Sequence, residues 1–594
     1  MTSLKQNLTN IVAAAFEACG IDKKYGAVEV STRRELADYQ CNGALAAAKP
    51  YKKNPRQIGQ DVMEKLQTTA GDVFAEISLA GPGFINLRLN NEWLASRAQA
   101  MAADDSGRFG VVAAEEPLMI ILDYGGPNVA KPLHVGHVRT GIIGECLKRL
   151  CRFLGHEALG DIHMGDWGLP IGQIITELQE RDPSMPYFDA DYSGPYPEES
   201  PVTVQELAEI YPTASGKSKT DETFRAKAQK ATSELQEGRP GYRALWQHFM
   251  DVSIADLKQN YGSLQVDYDL WLGEADVNDL IDPMVDKLKA EGHAYLSDGA
   301  IVIDVKDDAD KKEMEPLMIV KSNGSVGYEA TDMATIIQRV RDYDPDLVWY
   351  IVDGRQQHHF KKVFRAVYKS GIADKSKVSL EHTYNGTING PDGKPFKTRD
   401  GGVMSLQVLV EMVIQKARER LAEIDSAADY SAEEREEIAQ KVGIAALKFS
   451  DLVNHRTVDY IFDLERFSSF EGRTGPYLLY AAVRNRSILR KAAEEGLSAG
   501  EILPPAGDEE RELQLKLLEL PDLLNFTFDQ RAPNHLCDYA YNLAIAFNRF
   551  YRAHHILNET DKAQQASWLG VAQLTVGVLE LVLELLGISV PERM

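Results

Sequence analysis

Hydrophobic and polar positions change rhythm several times along the chain, and each change predicts an element. Over the first 108 positions, helical periodicity mixes with short strand-like runs. Val28 to Ser31 and Phe84 to Leu89 predict strands, and Pro55 to Gln67 predicts a helix. The polar, turn-rich Asp104-Asp105-Ser106-Gly107 closes this part. Leu118 to Asp123 is a short apolar run suited to a strand buried on both faces. Gly125, Gly126 and Pro127 break it, and a helical pattern runs from near His134 to about Leu154. A second short strand follows at Ala158 to Asp161. Strand, glycine-rich turn, helix and strand open a doubly wound α/β domain.

Pro183 to Pro201, rich in Pro, Tyr and Asp, predicts an inserted loop, and Thr223 to Leu264 is mainly helical. Strand patterns return at Ala300 to Val305 and Val348 to Val352, so an insertion over about 180–298 is expected to divide the nucleotide-binding fold. From about Leu406 onward the pattern is nearly all helical, with Leu503-Pro504-Pro505-Ala506-Gly507 as an inter-helix loop. The expected parts are 1–108, 109–405, connecting helices over 406–459, and a helical 460–594. The apolar stretch Leu569 to Val590 carries Gln573, Glu580 and Glu584, which predicts a bundle helix rather than a membrane span.

Charge and cysteine usage narrow the picture further. The 594 residues carry a net charge of -24, a mild argument against nucleic-acid binding, although a local basic face can coexist with an acidic surface. The five cysteines are scattered with no CxxC pair, so neither a disulfide framework nor a protein-bound zinc is expected, which fits a reducing cytoplasm. Ile11 to Ala18 is short and contains Glu17, unlike a secretory signal.

The strongest chemical signal is Pro132-Leu133-His134-Val135-Gly136-His137. With 13 His and 45 Gly, random order would produce H-x-G-H roughly 0.02 times. A helix start offers free N–H groups and a positive dipole end to phosphate. His134 and His137 can share a face of the first turn and donate to an α-phosphate. Gly136 would let an adenine ring approach the backbone. The plainer alternative is a pair of capping histidines.

Asp123-Tyr124-Gly125-Gly126-Pro127-Asn128-Val129-Ala130-Lys131 leads into that motif, and the whole stretch through Arg139 resembles the arginyl-tRNA synthetase signature around the class I HIGH motif. Further similar stations run through nearly the whole chain. Met164-Gly165-Asp166-Trp167-Gly168 resembles the family's Gly-Asp-Trp-Gly turn, whose plain reading is a packed Trp. Tyr328 and Asp332, four apart, match the family's arginine pocket, with Asp332 facing the guanidinium. Gln356 matches a nearby position, with Gln357 as the alternative, and Asp123 and Asn128 match groups near the substrate's α-amino end. Gly393-Lys394-Pro395-Phe396-Lys397-Thr398-Arg399 resembles a divergent KMSKS loop. Lys394, Lys397 and Arg399 are candidates for the outer phosphates, and the resemblance gives Lys131 the role of the missing second Lys. Departures include Gly125-Gly126 in place of two small or small polar family residues, Leu169-Pro170-Ile171 in place of a more polar stretch, and Leu479 in place of a Gln.

In the helical part, Tyr477, Tyr480 and Arg484 match anticodon contacts, and the terminal Met594 packs near the anticodon in the family. In the N-terminal part, Tyr39, Gln40 and Asn42 match an element that meets the tRNA elbow. The resemblance implies a class I Rossmann-type (HUP-like) catalytic domain in an α/β chain, between an N-terminal α/β tRNA-binding domain and an all-α anticodon-binding bundle. It implies arginine, ATP with Mg²⁺ and tRNA(Arg) as substrates, a cytoplasmic monomer with no membrane partner, and arginine activation that needs bound tRNA. The rivals are another class I synthetase, a small-molecule nucleotidylyltransferase, and a non-enzymatic RNA-binding relative.

Overall fold

The computed structural model describes residues 3–390, 392–394, 404–423 and 430–594. The chain divides into two compact units, one built from 1–114 with 469–594 and the other from 115–468.

The first stretch of the first unit holds helices α1 (Leu4–Ala18), α2 (Gly43–Tyr51), α3 (Pro55–Thr69) and α4 (Asn91–Ala102) around strands β1 (Val28–Val30), β2 (Tyr39–Cys41), β3 (Phe74–Ala80) and β4 (Phe84–Leu89). The sheet is antiparallel in the order β1-β2-β4-β3. Three of its four helices, α1, α3 and α4, start where a side chain satisfies a free backbone donor. Asn54 caps α3, with Pro55 at the first position, and Asn90 caps α4.

The second unit is built on β5 (Met119–Tyr124), α5 (Val135–Phe153), β6 (Glu157–Asp161), α6 (Leu169–Arg181), α7 (Val204–Thr220), α8 (Glu222–Gln236), α9 (Pro240–Ser263) and α10 (Asn278–Ala290). It continues through β7 (Ala294–Ser297), β8 (Ala300–Ile303), β9 (Leu317–Val320), α11 (Tyr328–Tyr343), β10 (Leu347–Ile351), α12 (Gln357–Lys369), β11 (Ser379–His382) and β12 (Ile388–Asn389). It closes with α13 (Leu406–Ala422), α14 (Ala432–Leu452), β13 (Tyr460–Ile461) and α15 (Leu464–Phe467). Four strands form a parallel sheet in the order β11-β10-β5-β6. Ile120, Ile121 and Leu122 are fully buried in β5, as a strand covered on both faces requires. The order reverses between β5 and β10, and the carboxyl ends there flank the crevice where such sheets bind ligands. Gly144 lets α5 lie close to β5, since a Cβ there would sit 2.2 Å from the Tyr124 ring.

One expectation needs correction. The strand predicted at Ala300 to Val305 is β8, and it does not extend the parallel sheet. It pairs antiparallel with β7 and β9 in a separate three-stranded sheet. A short apolar run encodes burial and carries no information about its partner or direction. The strand predicted at Val348 to Val352 is β10, and it pairs parallel with β5.

The remaining stretch of the first unit is helical among the described residues: α16 (Gly475–Glu494), α17 (Asp508–Leu518), α18 (Leu520–Gln530), α19 (Asn534–Ala553) and α20 (Lys562–Leu585). Among the described residues, α20 alone is long and apolar enough to cross a membrane, but 78% of its apolar window is buried inside the protein. It is a core helix, as its interrupting Gln and Glu residues predict. Arg511 of α17 ties the two stretches of this unit together, donating from both terminal nitrogens to Asp38 at 2.8 and 2.7 Å.

Candidate active site

The site begins where β5 ends and α5 starts. Ala130, in the intervening loop, has φ 63°, and His163, just beyond β6, has φ 36°. Both are strained for side-chain-bearing residues, and both flank the crevice. The two flanking loops are stitched together, because Val129 donates to the Gly165 carbonyl at 3.0 Å and Gly165 donates to Pro127 at 3.0 Å. The stretch after the divergent second signature returns to the same place. Val135 donates to Met404 at 3.1 Å, and Leu406 donates to Leu133 at 2.9 Å.

His134 is the N-cap of α5, and its Nδ1 accepts the Gly136 N–H at 3.0 Å. His137, in the first turn, accepts the His134 N–H on its own Nδ1 at 3.1 Å. The rings lie 4.0 Å apart. The capping alternative is therefore correct as local geometry, and it sets the chemistry. With each Nδ1 accepting, a neutral ring must carry its proton on Nε2. Burial, followed by the charge of Lys131, lowers the His134 pKa. Burial, followed by His134 and Lys131, brings His137 to about 3. Both rings are thus neutral donors at physiological pH. Gly136 makes room for His134 itself, since a Cβ there would lie 2.8 Å from that ring. Lys131 is half-buried, with its ammonium 4.3 Å from the Tyr211 ring centroid on α7.

The crevice also holds a buried cluster of paired charges, Asp123 and Asp161 with Arg339 and His163. Arg339 of α11 is buried and donates from one nitrogen to Asp123 at 2.7 Å and to Asp161 at 2.6 Å. Burial alone would raise the Asp161 carboxyl, but Arg339 and His163 more than offset it and hold it at about 2. Burial likewise opposes a charged His163, yet Asp161 lifts it to about 9. For Asp123, burial outweighs Arg339 and raises the carboxyl. Oδ2 of Asp123 is already engaged by Arg339, and its side chain is 9% exposed. Asn128 is exposed, with its side-chain oxygen against Gly165, where a Cβ would come within 2.4 Å.

Tyr328 and Asp332 occupy the first two turns of α11, as their spacing predicts. Tyr328 is exposed, and Asp332 accepts a hydrogen bond from His359 of α12 at 2.5 Å. The His359 ring also lies 4.8 Å from the Tyr328 ring. His359 and Arg339 are contacts that sequence reasoning missed. His359 had a local signal, as it sits within the same Gln356-Gln357-His358-His359 stretch. Gln356 and Gln357 are both exposed at the start of α12. Asp166 and Trp167 fit the packed-turn reading. Trp167 stands edge-on to Trp246 at 5.4 Å and donates to Asn278 at 2.9 Å. Burial raises Asp166 to about 7, against a backbone donation from Ala275. Lys394 is exposed at the near end of the second signature, whereas Lys397 and Arg399 lie outside the described residues.

The RNA-facing expectations divide. Tyr39 is 1% exposed inside its sheet, so it offers no ring face to a base, which corrects its expected stacking role. It alternates inward along β2 by the period of the strand. Gln40 is half-buried and donates to Asn86 at 2.8 Å, and Asn42 is exposed. Tyr480 is exposed. Tyr477 is half-buried, accepts from Asn548 at 3.1 Å, and lies 5.6 Å from the Tyr541 ring. Arg484 stands 5.7 Å from the Tyr551 ring, and Met594 is half-buried.

A parallel sheet whose first strand runs into a histidine-capped helix, paired with a helical module, is the architecture of the class I aminoacyl-tRNA synthetases. The family described as "tRNA synthetases class I (R), catalytic domain" matches residues 99–464. "DALR anticodon binding domain" matches 478–594, and "Arginyl tRNA synthetase N terminal domain" matches 2–89. The chain is 49% identical to proteins named arginine–tRNA ligase from Alkaliphilus oremlandii and Hyphomonas neptunium, over 100% of each chain. The chain belongs to the arginyl-tRNA synthetase family. The fold is also similar to the arginyl-tRNA synthetase structures from Plasmodium falciparum and Thermus thermophilus, with TM-scores of 0.80 and 0.79 at 22% identity and full coverage of each chain.

Proposed function

We propose that this chain ligates arginine to tRNA(Arg) in two ATP-dependent steps, as its family membership implies. In the first step the arginine carboxylate oxygen attacks the α-phosphorus of MgATP. The bond to the β-phosphate oxygen breaks, giving arginyl-adenylate and pyrophosphate. In the second, a hydroxyl of the tRNA's terminal ribose attacks the activated carbonyl, and AMP leaves. The observation that carries this reading is the pair of Nε2–H donors held at the start of α5 by capping bonds to Nδ1. Two neutral donors fixed before reaction stabilise charge developing on the α-phosphate without reorganisation. Gly136 stands beside them at the nucleotide. Lys131, Lys394, Lys397 and Arg399 act on the outer phosphates.

Asp332 takes the guanidinium, with Tyr328 and Gln356 beside it. Asn128 and the Asp123 region face the α-amino end. Because Arg339 holds Asp123 Oδ2 as well as Asp161, Asp123 acts chiefly by keeping that corner of the crevice fixed. Tyr477, Tyr480, Arg484 and Met594 meet the anticodon region, and Gln40 and Asn42 meet the elbow. The protein works as a cytoplasmic monomer, and arginine activation depends on tRNA.

Arginine-dependent pyrophosphate exchange, with and without tRNA, tests the reading. Exchange should appear with arginine and require tRNA. A better response to any other amino acid would end the assignment.

A further inference from the structure

Asp332 must offer a carboxylate in one orientation, because a guanidinium bonds best to a planar acceptor in the same plane. A carboxylate on the second turn of a helix rotates freely unless something holds it. Here His359 does: its Nε2 lies 2.5 Å from Asp332 Oδ2. His359 is itself held between two rings: it lies 4.8 Å from the Tyr328 ring and 5.1 Å from the ring of Phe360, which is buried, and its side chain is 13% exposed. Among the described residues no other group bonds the Asp332 carboxylate, so Oδ1 stays open. An ionised carboxylate has about four acceptor positions, and His359 uses one.

We infer that His359 is a positioning residue for arginine recognition, locking the Asp332 carboxylate so that its remaining acceptor positions meet the guanidinium. The inference rests on the reading of Asp332 as the guanidinium partner. His359 touches Asp332 and acts through it. Its ring also fills the space beside Tyr328, so bonding and packing need separate variants.

His359→Phe keeps a ring and removes the donor. His359→Gln places an amide N–H near the position of Nε2 and removes the ring. Asp332→Asn tests the pocket itself. Each is assayed by pyrophosphate exchange with tRNA present, for KM of arginine and of ATP, and by the rise in Tm that arginine produces. Loss of a hydrogen bond to a charged group should raise the arginine KM of His359→Phe by about tenfold or more and shrink its arginine-induced Tm rise. The ATP KM should stay within about twofold, and His359→Gln should recover most of the loss. Asp332→Asn should lose more than either. An arginine KM in His359→Phe equal to that of the parent, with Asp332→Asn impaired, overturns the inference and leaves the pocket standing. Equal damage to both substrates without recovery in His359→Gln also overturns it, in favour of packing alone. An unimpaired Asp332→Asn removes the pocket reading and the inference with it.

Discussion

The imidazoles of His134 and His137 lie 4.0 Å apart, each with Nδ1 occupied by a backbone N–H of the same helix start. The caps thus determine which nitrogen carries the proton, and a local feature of helix termination sets the tautomer the chemistry needs. A His137→Asn variant separates the two jobs. The Asn side-chain oxygen can reach the capping position, but nothing replaces Nε2–H. Adenylate formation should fall by about 10²- to 10³-fold, as when one oxyanion donor is removed. Binding of tRNA, measured by filter retention, should be nearly unchanged.

Arg339 bridges Asp123 and Asp161 through a single nitrogen in a buried position. Removing it leaves two carboxylates enclosed without their partner. Arg339→Ala should destabilise the second unit by about 3–5 kcal/mol, the cost of breaking a buried pair from one side. Urea unfolding followed by tryptophan fluorescence reads the change, since Trp349 lies buried in β10 of the same sheet.

Asp166 gives the pH dependence a sign. Its folded pKa of about 7, raised mainly by burial, exceeds the ordinary carboxylate value of 3.8. Between those two values the folded chain holds a proton that the unfolded chain releases. The stabilisation is fully present below the unfolded pKa and declines as pH rises toward 7. Asp166→Asn removes this contribution. The fall in Tm between pH 5 and pH 7.5 should be smaller in the variant than in the parent.

Arg511 meets Asp38 through two buried bonds and also donates to Asn91 at 2.9 Å and to the Leu89 carbonyl at 3.0 Å. Arg511→Ala leaves Asp38 enclosed beside Tyr39 and the strand it supports. A loss of about 3–5 kcal/mol in the stability of the first unit is expected. Pyrophosphate exchange at saturating tRNA should change less than the tRNA KM, because the altered contacts lie among the elements expected to meet the tRNA elbow.

The sequence by itself determined what depends on neighbours along the chain. The apolar run of β5, the start of α5 at His134 and the shared face of Tyr328 and Asp332 follow from strand and helix periods and from capping chemistry. The family motifs were equally legible, because they are contiguous residues. Tertiary structure decided what depends on partners far apart in the chain. β8 joined an antiparallel sheet instead of extending the parallel one, Tyr39 turned inward, Arg339 took Asp123, and His359 took Asp332. A residue's type and spacing fix which bonds it can make. Which bond it does make is set by what the fold brings within about 3 Å, where hydrogen bonding and desolvation act.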